Sequence, residues 1–194
     1  MLETTALACE RGGLRLFANL SFTLEQGGLL RVRGANGSGK TTLLRTLAGL
    51  TRPAEGEVRR DRMEFLFVGH SAAIKDELTV FENLEFASRI ASLNFSSIKI
   101  KAALEQLGIA RLADLPARYL SQGQRRRAAL ARLALSAGVP LWLLDEPFAA
   151  LDAEGIARVS ALCAAHLAGG GMLVLTSHQD VSIPSTASRE IELR

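Results

Sequence analysis

The sequence has few cysteines, no basic leader and no long hydrophobic run. Cys9 and Cys163 stand far apart, without a CxxC pair or a histidine at metal-binding spacing, which excludes the common zinc motifs and favours a reducing compartment. The N-terminus, MLETTALACERGG, has no basic segment before an apolar stretch, so we expect neither a signal nor a transit peptide. The longest apolar candidate for a membrane span, residues 133–144, is interrupted by Pro140 and is too short to cross a bilayer. Any association with a membrane therefore requires another protein.

Charge and composition are ordinary for a globular protein. The net charge is +3 and the basic residues are spread along the chain, apart from a run at Arg125, Arg126 and Arg127, so charge alone does not indicate nucleic acid binding. The chain has 194 residues, which corresponds to about one domain, since domains contain roughly 100–200 residues. No internal repeat or low-complexity linker divides it.

Hydrophobic patterning predicts an α/β core with an inserted helical lobe. Apolar runs predict strands, and apolar residues at helical spacing predict helices. The predicted strands are residues 14–24, 29–33, 64–68, 141–144, 172–176 and 190–193, and the predicted helices are residues 81–93, 97–107 and 122–136, with one more that directly follows residue 42 and ends near Gly49 and Pro53. Strands therefore flank a helical block, and residues 169–171 predict a glycine turn before a buried strand.

The segment GANGSGKTT, residues 34–42, lies between a predicted strand and a predicted helix and fits the pattern G-x-x-x-x-G-K-[ST]. Glycines in such a loop let successive backbone N–H groups point at phosphate oxygens, and the helix N-terminus adds partial positive charge. We expect Lys40 to neutralise the outer phosphates and Thr41 to bind Mg²⁺. A glycine turn with a surface lysine is the alternative, but the strand–loop–helix context favours nucleotide binding. The candidate nucleotide-binding residues of this glycine loop are Gly34, Ala35, Asn36, Gly37, Ser38, Gly39, Lys40, Thr41 and Thr42.

The segment WLLDEP, residues 142–147, places two adjacent carboxylates at the end of a predicted buried strand. Because side chains alternate in direction along a strand, Asp145 and Glu146 receive different roles. We expect Asp145 to hold Mg²⁺ and Glu146 to be the catalytic base that activates the water attacking the terminal phosphate. Acidic pairs after strands are also common as helix caps or solvated turns. The glycine loop in the same chain favours the catalytic interpretation.

The segment LSQGQRRR, residues 120–127, predicts a helix start, because Ser121 and Gln124 have the spacing of a capping box. Gly123 is unfavourable in a first helical turn but leaves backbone N–H groups approachable by an anion. The three following arginines oppose the helix dipole, which fits a nearby phosphate or an acidic partner surface. A solvated basic face explains each of these arginines equally well.

Five segments occur in the order found in the nucleotide-binding subunits of ABC transporters, which this sequence resembles over nearly its whole length. They are GANGSGKTT, LSQGQ followed by RRR, LLDEP, AALD at residues 149–152 and TSH at residues 176–178. The resemblance implies a P-loop NTPase fold of the α/β class with an antiparallel β subdomain and an inserted helical subdomain. It implies one domain over residues 1–194, with a nucleotide-binding core at residues 1–71 and 137–194 and a helical subdomain at about residues 72–136. Gly56 in PAEGEV would form a turn after the first helix.

The resemblance also implies a homodimer that holds ATP, with Mg²⁺, between its two copies. Each ATP would lie between the glycine loop of one copy and residues 121–124 of the other, which we call the signature segment. Asp152 would lie at the dimer interface, and His178 would contact the terminal phosphate as a catalytic switch residue, although a lone histidine is more often structural. The signature residues that would contact the partner's nucleotide are Ser121, Gln122, Gly123 and Gln124.

Two positions depart from the common family pattern. His70 follows the strand predicted at residues 64–68, where most relatives have a glutamine that senses Mg²⁺ and the attacking water, so we expect His70 to make that catalytic contact. Arg11 stands where many relatives have an aromatic residue that stacks on adenine, and its guanidinium plane can also stack on a base. Both departures, together with VGH before LTVFENL and with DEPFAALD, are similar to the ATP-binding subunits of the cytochrome c maturation haem exporter.

That subfamily implies a haem-export ATPase, peripheral on the cytoplasmic face of the inner membrane and docked on an integral membrane permease similar to CcmB, with associated haem-handling proteins. ELTVFENL, residues 77–84, matches the stretch that faces the permease. Because the permease selects the substrate, another small-molecule substrate is the alternative. A DNA-repair ABC ATPase is disfavoured because no coiled-coil or zinc insertion is visible, so we expect no direct nucleic acid partner. A P-loop kinase or GTPase is disfavoured because it would leave LSQGQ unexplained.

Overall fold

The computed structural model describes residues 1–60, 62–90 and 95–193, which contain two sheets and five α-helices. In chain order the elements are β1 (Leu2–Arg11), β2 (Leu14–Leu24), β3 (Gly28–Gly34), α1 (Lys40–Leu47), β4 (Glu55–Arg59), β5 (Phe65–Val68), α2 (Val80–Ile90), α3 (Ser97–Gln106), α4 (Gln122–Leu135), β6 (Leu141–Asp145), α5 (Ala153–Ala168), β7 (Met172–Thr176) and β8 (Ala187–Leu193). The core unit comprises Met1–Gly69, Val139–Pro147 and Cys163–Arg194, and the helical unit comprises His70–Gly138 and Phe148–Leu162. No helix in the described part of the chain is long and apolar enough to cross a membrane.

The antiparallel sheet of the core unit has the strand order β2-β1-β4. Gly12 and Gly13 join β1 to β2 with φ of 59° and 79°, the left-handed backbone of a tight hairpin turn. Gly56, which the family resemblance placed in a turn, lies within β4 instead. A Cβ atom on Gly56 would lie 2.3 Å from the Thr5 carbonyl oxygen, so only glycine permits this approach of β4 to β1.

The parallel sheet of the core unit has the order β5-β6-β7-β3-β8. Every residue of β6 and β7 is buried, as expected for central strands covered on both faces. Strand β8 is an edge strand and is mostly exposed. Because the strands are parallel, the glycine loop after β3, Asp145 at the end of β6 and Thr176 at the end of β7 lie at the same edge of the sheet.

The helical unit is built on capped helices. Thr79 and Glu82 cap the start of α2 reciprocally, and Ser96 caps α3 by accepting a hydrogen bond from the Lys99 N–H. Helix α4 packs against both α2 and α3. The helical unit thus positions the first turn of α4, where the signature segment lies.

The sequence predicted most of these elements. Strands β2 and β7 have the predicted bounds, and α1, α3, α4, β3, β5, β6 and β8 overlap their predictions. Of the helix predicted at residues 81–93, residues 91–93 lie outside the described residues. Strands β1 and β4 and helix α5 were not predicted. The compact units also divide the chain differently from the predicted subdomains, since Phe148–Leu162 lies with the helical unit.

Candidate active site

The glycine loop is held in a shape that only glycines allow. Gly34, Gly37 and Gly39 have φ of 148°, 86° and 100°, in the region that L side chains rarely adopt. A Cβ atom on Gly34 would lie 2.5 Å from Ser38 Oγ, and one on Gly39 would lie 3.0 Å from Leu16 and Phe17 of β2. The loop therefore curls tightly into the start of α1, where free backbone N–H groups point away from the helix.

Lys40 begins α1 and is buried beneath this loop. Its Nζ donates hydrogen bonds to the carbonyl oxygens of Gly34 and Ala35 at 2.8 and 3.0 Å. Ser38 Oγ is also buried and has no hydrogen-bond partner among the residues that the structure describes. An ammonium group and an unsatisfied hydroxyl at the start of a helix form a chemical environment suited to phosphate oxygens.

Asp145 is buried at the end of β6, and hydroxyl groups hold both of its carboxylate oxygens. Thr41 Oγ1 donates to Oδ2 at 2.8 Å, and Thr176 Oγ1 donates to Oδ1 at 2.7 Å. A threonine hydroxyl beside a carboxylate offers the oxygen ligands that Mg²⁺ prefers. The residues that the sequence assigned to the metal, Thr41 and Asp145, thus meet in the structure and fit that ion.

Glu146 follows directly and has a strained backbone, with φ of 49°, which is uncommon for a residue other than glycine. Its N–H donates to Thr176 Oγ1 at 2.9 Å, and its Oε2 accepts the His178 N–H at 3.2 Å. His178 Nε2 lies 3.5 Å from Glu146 Oε1. The two catalytic candidates after β6 and β7 are therefore in contact.

Thr176 is a site residue to which the sequence assigned no role. It is fully buried and pairs with Asp145 in the parallel register of β6 and β7. Its single hydroxyl orients Asp145 as a donor and Glu146 as an acceptor. A hydroxyl residue at the end of the apolar run MLVLT, in register with an aspartate, was the available signal.

The signature segment lies in the helical unit and has the predicted capping box. Ser121 Oγ accepts the Gln124 N–H at 3.2 Å, and Gln124 Oε1 accepts the Ser121 N–H at 3.0 Å. Gln122 is the first residue of α4 and is exposed. Asp152 accepts the Gly155 N–H at 2.9 Å, and this bond and the Arg127 guanidinium lower the pKa of its carboxyl.

The arginines after the signature segment are not a solvated basic face. Arg125 pairs with Asp76, Arg126 donates to the His70 carbonyl oxygen at 3.2 Å, and Arg127 pairs with Asp152. These contacts all lie within the helical unit. The run therefore binds three segments of its own chain, a role that helix-dipole reasoning did not suggest.

The two departures from the family pattern lie at exposed positions. His70 is exposed and begins the helical unit, with its backbone held by Arg126. Arg11 ends β1 at the exposed hairpin of the core unit. Their predicted roles, a polar contact near the terminal phosphate and stacking on a base, remain predictions.

Comparison with known sequences gives a consistent set of relatives. A profile of the ABC transporter family matches residues 17–149. The chain is 47% identical to the cytochrome c biogenesis ATP-binding export protein CcmA of Dechloromonas aromatica (strain RCB), over 100% of both chains. It is 44% identical to the protein of the same name from Nitrosospira multiformis, over 99% of this chain and 98% of the relative.

Solved structures show the same fold. The dimeric post-hydrolysis state of the ATP-binding cassette MJ0796, bound to ADP and Pi, superposes with a TM-score of 0.85 and 25% identity, over 100% of this chain and 94% of that one. An ATP-binding protein from Pyrococcus furiosus, described as a putative ABC transporter, superposes with a TM-score of 0.82 and 23% identity, over 97% of this chain and 96% of that one.

Proposed function

The chain belongs to the ABC transporter family, and we propose that it is the ATP-hydrolysing subunit of a haem exporter that serves c-type cytochrome biogenesis. The contact of Glu146 with His178, next to Asp145 and in the same unit as the glycine loop, carries this proposal. It brings together the groups that phosphoryl transfer to water requires.

The glycine loop binds the phosphates of ATP. Its backbone N–H groups and the N-terminus of α1 face the phosphate oxygens, and Lys40 exchanges its contacts with the Gly34 and Ala35 carbonyls for the outer phosphates. All of these groups contact the phosphates. We assign contact with the base to Arg11 alone, by stacking of its guanidinium plane.

Thr41 and Asp145 would hold Mg²⁺. When bound, this ion neutralises charge that develops on the phosphates during transfer. The hydroxyl of Thr176 keeps Asp145 in place. The Thr41 hydroxyl, which donates to Asp145, would still have a lone pair available for the ion.

Glu146 acts as the general base. It takes a proton from water while the water oxygen forms a bond to the terminal phosphorus and the bond to the leaving oxygen of ADP breaks. His178 orients the Glu146 carboxylate and contacts the terminal phosphate, and His70 makes the polar contact that glutamine makes in most relatives. The His178 N–H bond holds the Glu146 carboxylate, and the strained backbone of Glu146 is of the kind that clusters at active sites.

Two copies form a homodimer around two ATP molecules. The signature segment of one copy contacts the nucleotide on the glycine loop of the other through Ser121, Gln122, Gly123 and Gln124, with Asp152 at the interface. The likeness to a cassette that forms dimers supports this arrangement. Neither copy alone then holds a complete site.

The membrane partner is a CcmB-like permease, and the chain acts as a peripheral subunit on the cytoplasmic face of the inner membrane, together with haem-handling proteins. The names of its relatives as export proteins of cytochrome c biogenesis support these assignments.

Capture of the tagged chain from solubilised membranes should recover an integral membrane subunit. Recovery of the chain alone, from membranes that contain the permease, would contradict this partner.

The test of the catalytic proposal is Glu146→Gln. We expect ATP to bind, hydrolysis to fall about 10²–10⁴-fold, and a closed dimer to accumulate with ATP, because only the base is removed. Phosphate release and sedimentation measure the two effects. Glu25→Gln removes an exposed carboxylate of the same unit and is the matched control. Unchanged hydrolysis in Glu146→Gln would reject the assigned role.

A further inference from the structure

The start of α4 and the loop at residues 148–152 approach each other closely within the helical unit. A Cβ atom on Gly123 would lie 2.9 Å from the Ala150 carbonyl oxygen. Ala150 itself has φ of 62°, an uncommon backbone for alanine. Both segments line one cavity of about 450 Å³, and Ser121, Gln124 and Asp152 are among its walls.

Arg127 joins these two segments. Its side chain is only 13% exposed and pairs with Asp152, which is 62% exposed. Gly155 leaves room for its guanidinium group, since a Cβ atom on Gly155 would lie 3.0 Å from Arg127 Nε. The arginine is thus the fixed member of the pair and the aspartate is the member that it holds.

Asp152 is held from two directions. Its Oδ1 accepts both the Arg127 guanidinium and, at 2.9 Å, the N–H of Gly155 in the first turn of α5. An exposed ion pair contributes little to folding stability. Fixing a side chain in one orientation before it meets a partner, however, lowers the entropy lost on association.

We propose that Arg127 is a positioning residue that fixes Asp152 against the start of α4, so that the signature segment and Asp152 meet a second copy as one preformed surface. This inference rests on the proposed homodimer. It assigns a function to an arginine that the catalytic proposal does not use. Gly155 contributes to this arrangement because a larger residue there would crowd the guanidinium.

The first experiment measures ATP-driven dimerisation in the Glu146→Gln background by sedimentation. Arg127→Gln and Asp152→Asn should each weaken dimerisation about tenfold. The double variant should be no weaker than Asp152→Asn alone, because Arg127 acts only through Asp152. Arg111→Gln is the matched control: it removes an exposed arginine from the same cavity and leaves the Asp152 contact in place. Additive effects, or an equal loss in Arg111→Gln, would overturn the proposal.

A second variant separates positioning from folding. Gly155→Ala lies in the first turn of α5, where alanine favours helix over glycine, yet its Cβ crowds both Arg127 Nε and Asp152 Oδ1 at 3.0 Å. We expect equal or higher thermal stability together with weaker dimerisation. Weaker stability with unchanged dimerisation would contradict the positioning role.

A third measurement does not depend on dimerisation. Titration of the Asp152 carboxyl by NMR in the nucleotide-free protein should give a higher pKa in Arg127→Gln than in the parent, while Arg111→Gln should match the parent. An unchanged titration in Arg127→Gln would overturn the proposal. The titration could shift while Glu146→Gln stays monomeric with ATP. That result would confirm the contact between Arg127 and Asp152 but contradict the homodimer, and the positioning role would be overturned with it.

Discussion

Asp145 of the core unit and Asp152 of the helical unit are held by different chemistry. Asp145 is buried and accepts hydrogen bonds from the neutral hydroxyls of Thr41 and Thr176. Asp152 is exposed and accepts a backbone N–H and the Arg127 guanidinium. Neutral donors orient a carboxylate without cancelling its charge, whereas a guanidinium cancels it. We propose that Asp145, which the Thr41 and Thr176 hydroxyls orient, meets a cation, and that Asp152 meets a protein surface.

The largest effect on ATP hydrolysis is expected from Asp145→Asn, which keeps the shape of the side chain and removes its charge. Hydrolysis should fall about a thousandfold, because the metal supplies several kcal/mol of transition-state stabilisation. The Mg²⁺ concentration for half-maximal rate should also rise. Asp152→Asn is the matched change in the helical unit and should lower the rate without altering the Mg²⁺ requirement. A raised requirement in both variants would remove the distinction between the two aspartates.

A smaller effect is expected from Ser121→Ala, which removes the cap of α4. In the proposed dimer Ser121 also contacts the partner's nucleotide, and loss of such a hydrogen bond costs about 1 kcal/mol, so hydrolysis should fall about fivefold. ATP affinity of the single chain should stay unchanged because the glycine loop lies in the other unit. Fluorescent nucleotide binding and phosphate release measure the two quantities. Ser96→Ala removes the equivalent cap of α3. Equal losses of activity in both variants would show that general destabilisation is the cause.

The smallest expected effect is on the pH dependence of folding stability, to which the core unit and the helical unit contribute in different pH ranges. His166 stacks on Trp142 with ring centroids 3.9 Å apart, and its Nε2 lies 3.1 Å from the Met172 carbonyl oxygen. Burial lowers the pKa of His166, so the unfolded chain binds the proton more readily. Stability should therefore fall as pH drops below about 6.5, by at most about 1.4 kcal/mol per pH unit.

The matching contribution of Asp152 has a different pH window. Its lowered pKa means that its stabilisation is present above about pH 4 and is lost below that value. Urea unfolding at pH 7.5 and 5.5 should thus report His166 alone of these two groups. His166→Phe should flatten the pH dependence, whereas His70→Gln, a change at an exposed histidine, should leave it in place. An unaltered slope in His166→Phe would contradict this assignment.

The parts of the site that were predictable are those in which chemistry fixes local spacing. The glycine loop, the LLDEP carboxylates and the capping box of Ser121 and Gln124 each act through neighbouring residues, so their pattern is visible in the sequence. The partners of Arg125, Arg126 and Arg127 lie far away in the chain, and only packing decides them. Thr176 is an intermediate case: both strands that carry it and Asp145 were predicted, but its role depends on the register in which these strands pair.

The elements that were missed have weak local patterns. Strand β4 is exposed at nearly every position and contains Gly56, and β1 has an irregular burial pattern with register shifts against its neighbours. Helix α5 carries Gly155 in its first turn, which lowers helix propensity where a start signal is expected. A local cap, the hydrogen bond from the Gly155 N–H to Asp152, stabilises that start.

Strand β8 has a consequence for how copies of this chain meet. It closes one side of the parallel sheet and carries Arg189, Glu190 and Glu192 on a largely exposed strand. Charges on an outer strand discourage backbone pairing with another polypeptide. The sheet is thereby protected at this edge from growing into a ribbon of stacked subunits, and the proposed dimer forms through other faces, where ATP can make the association reversible.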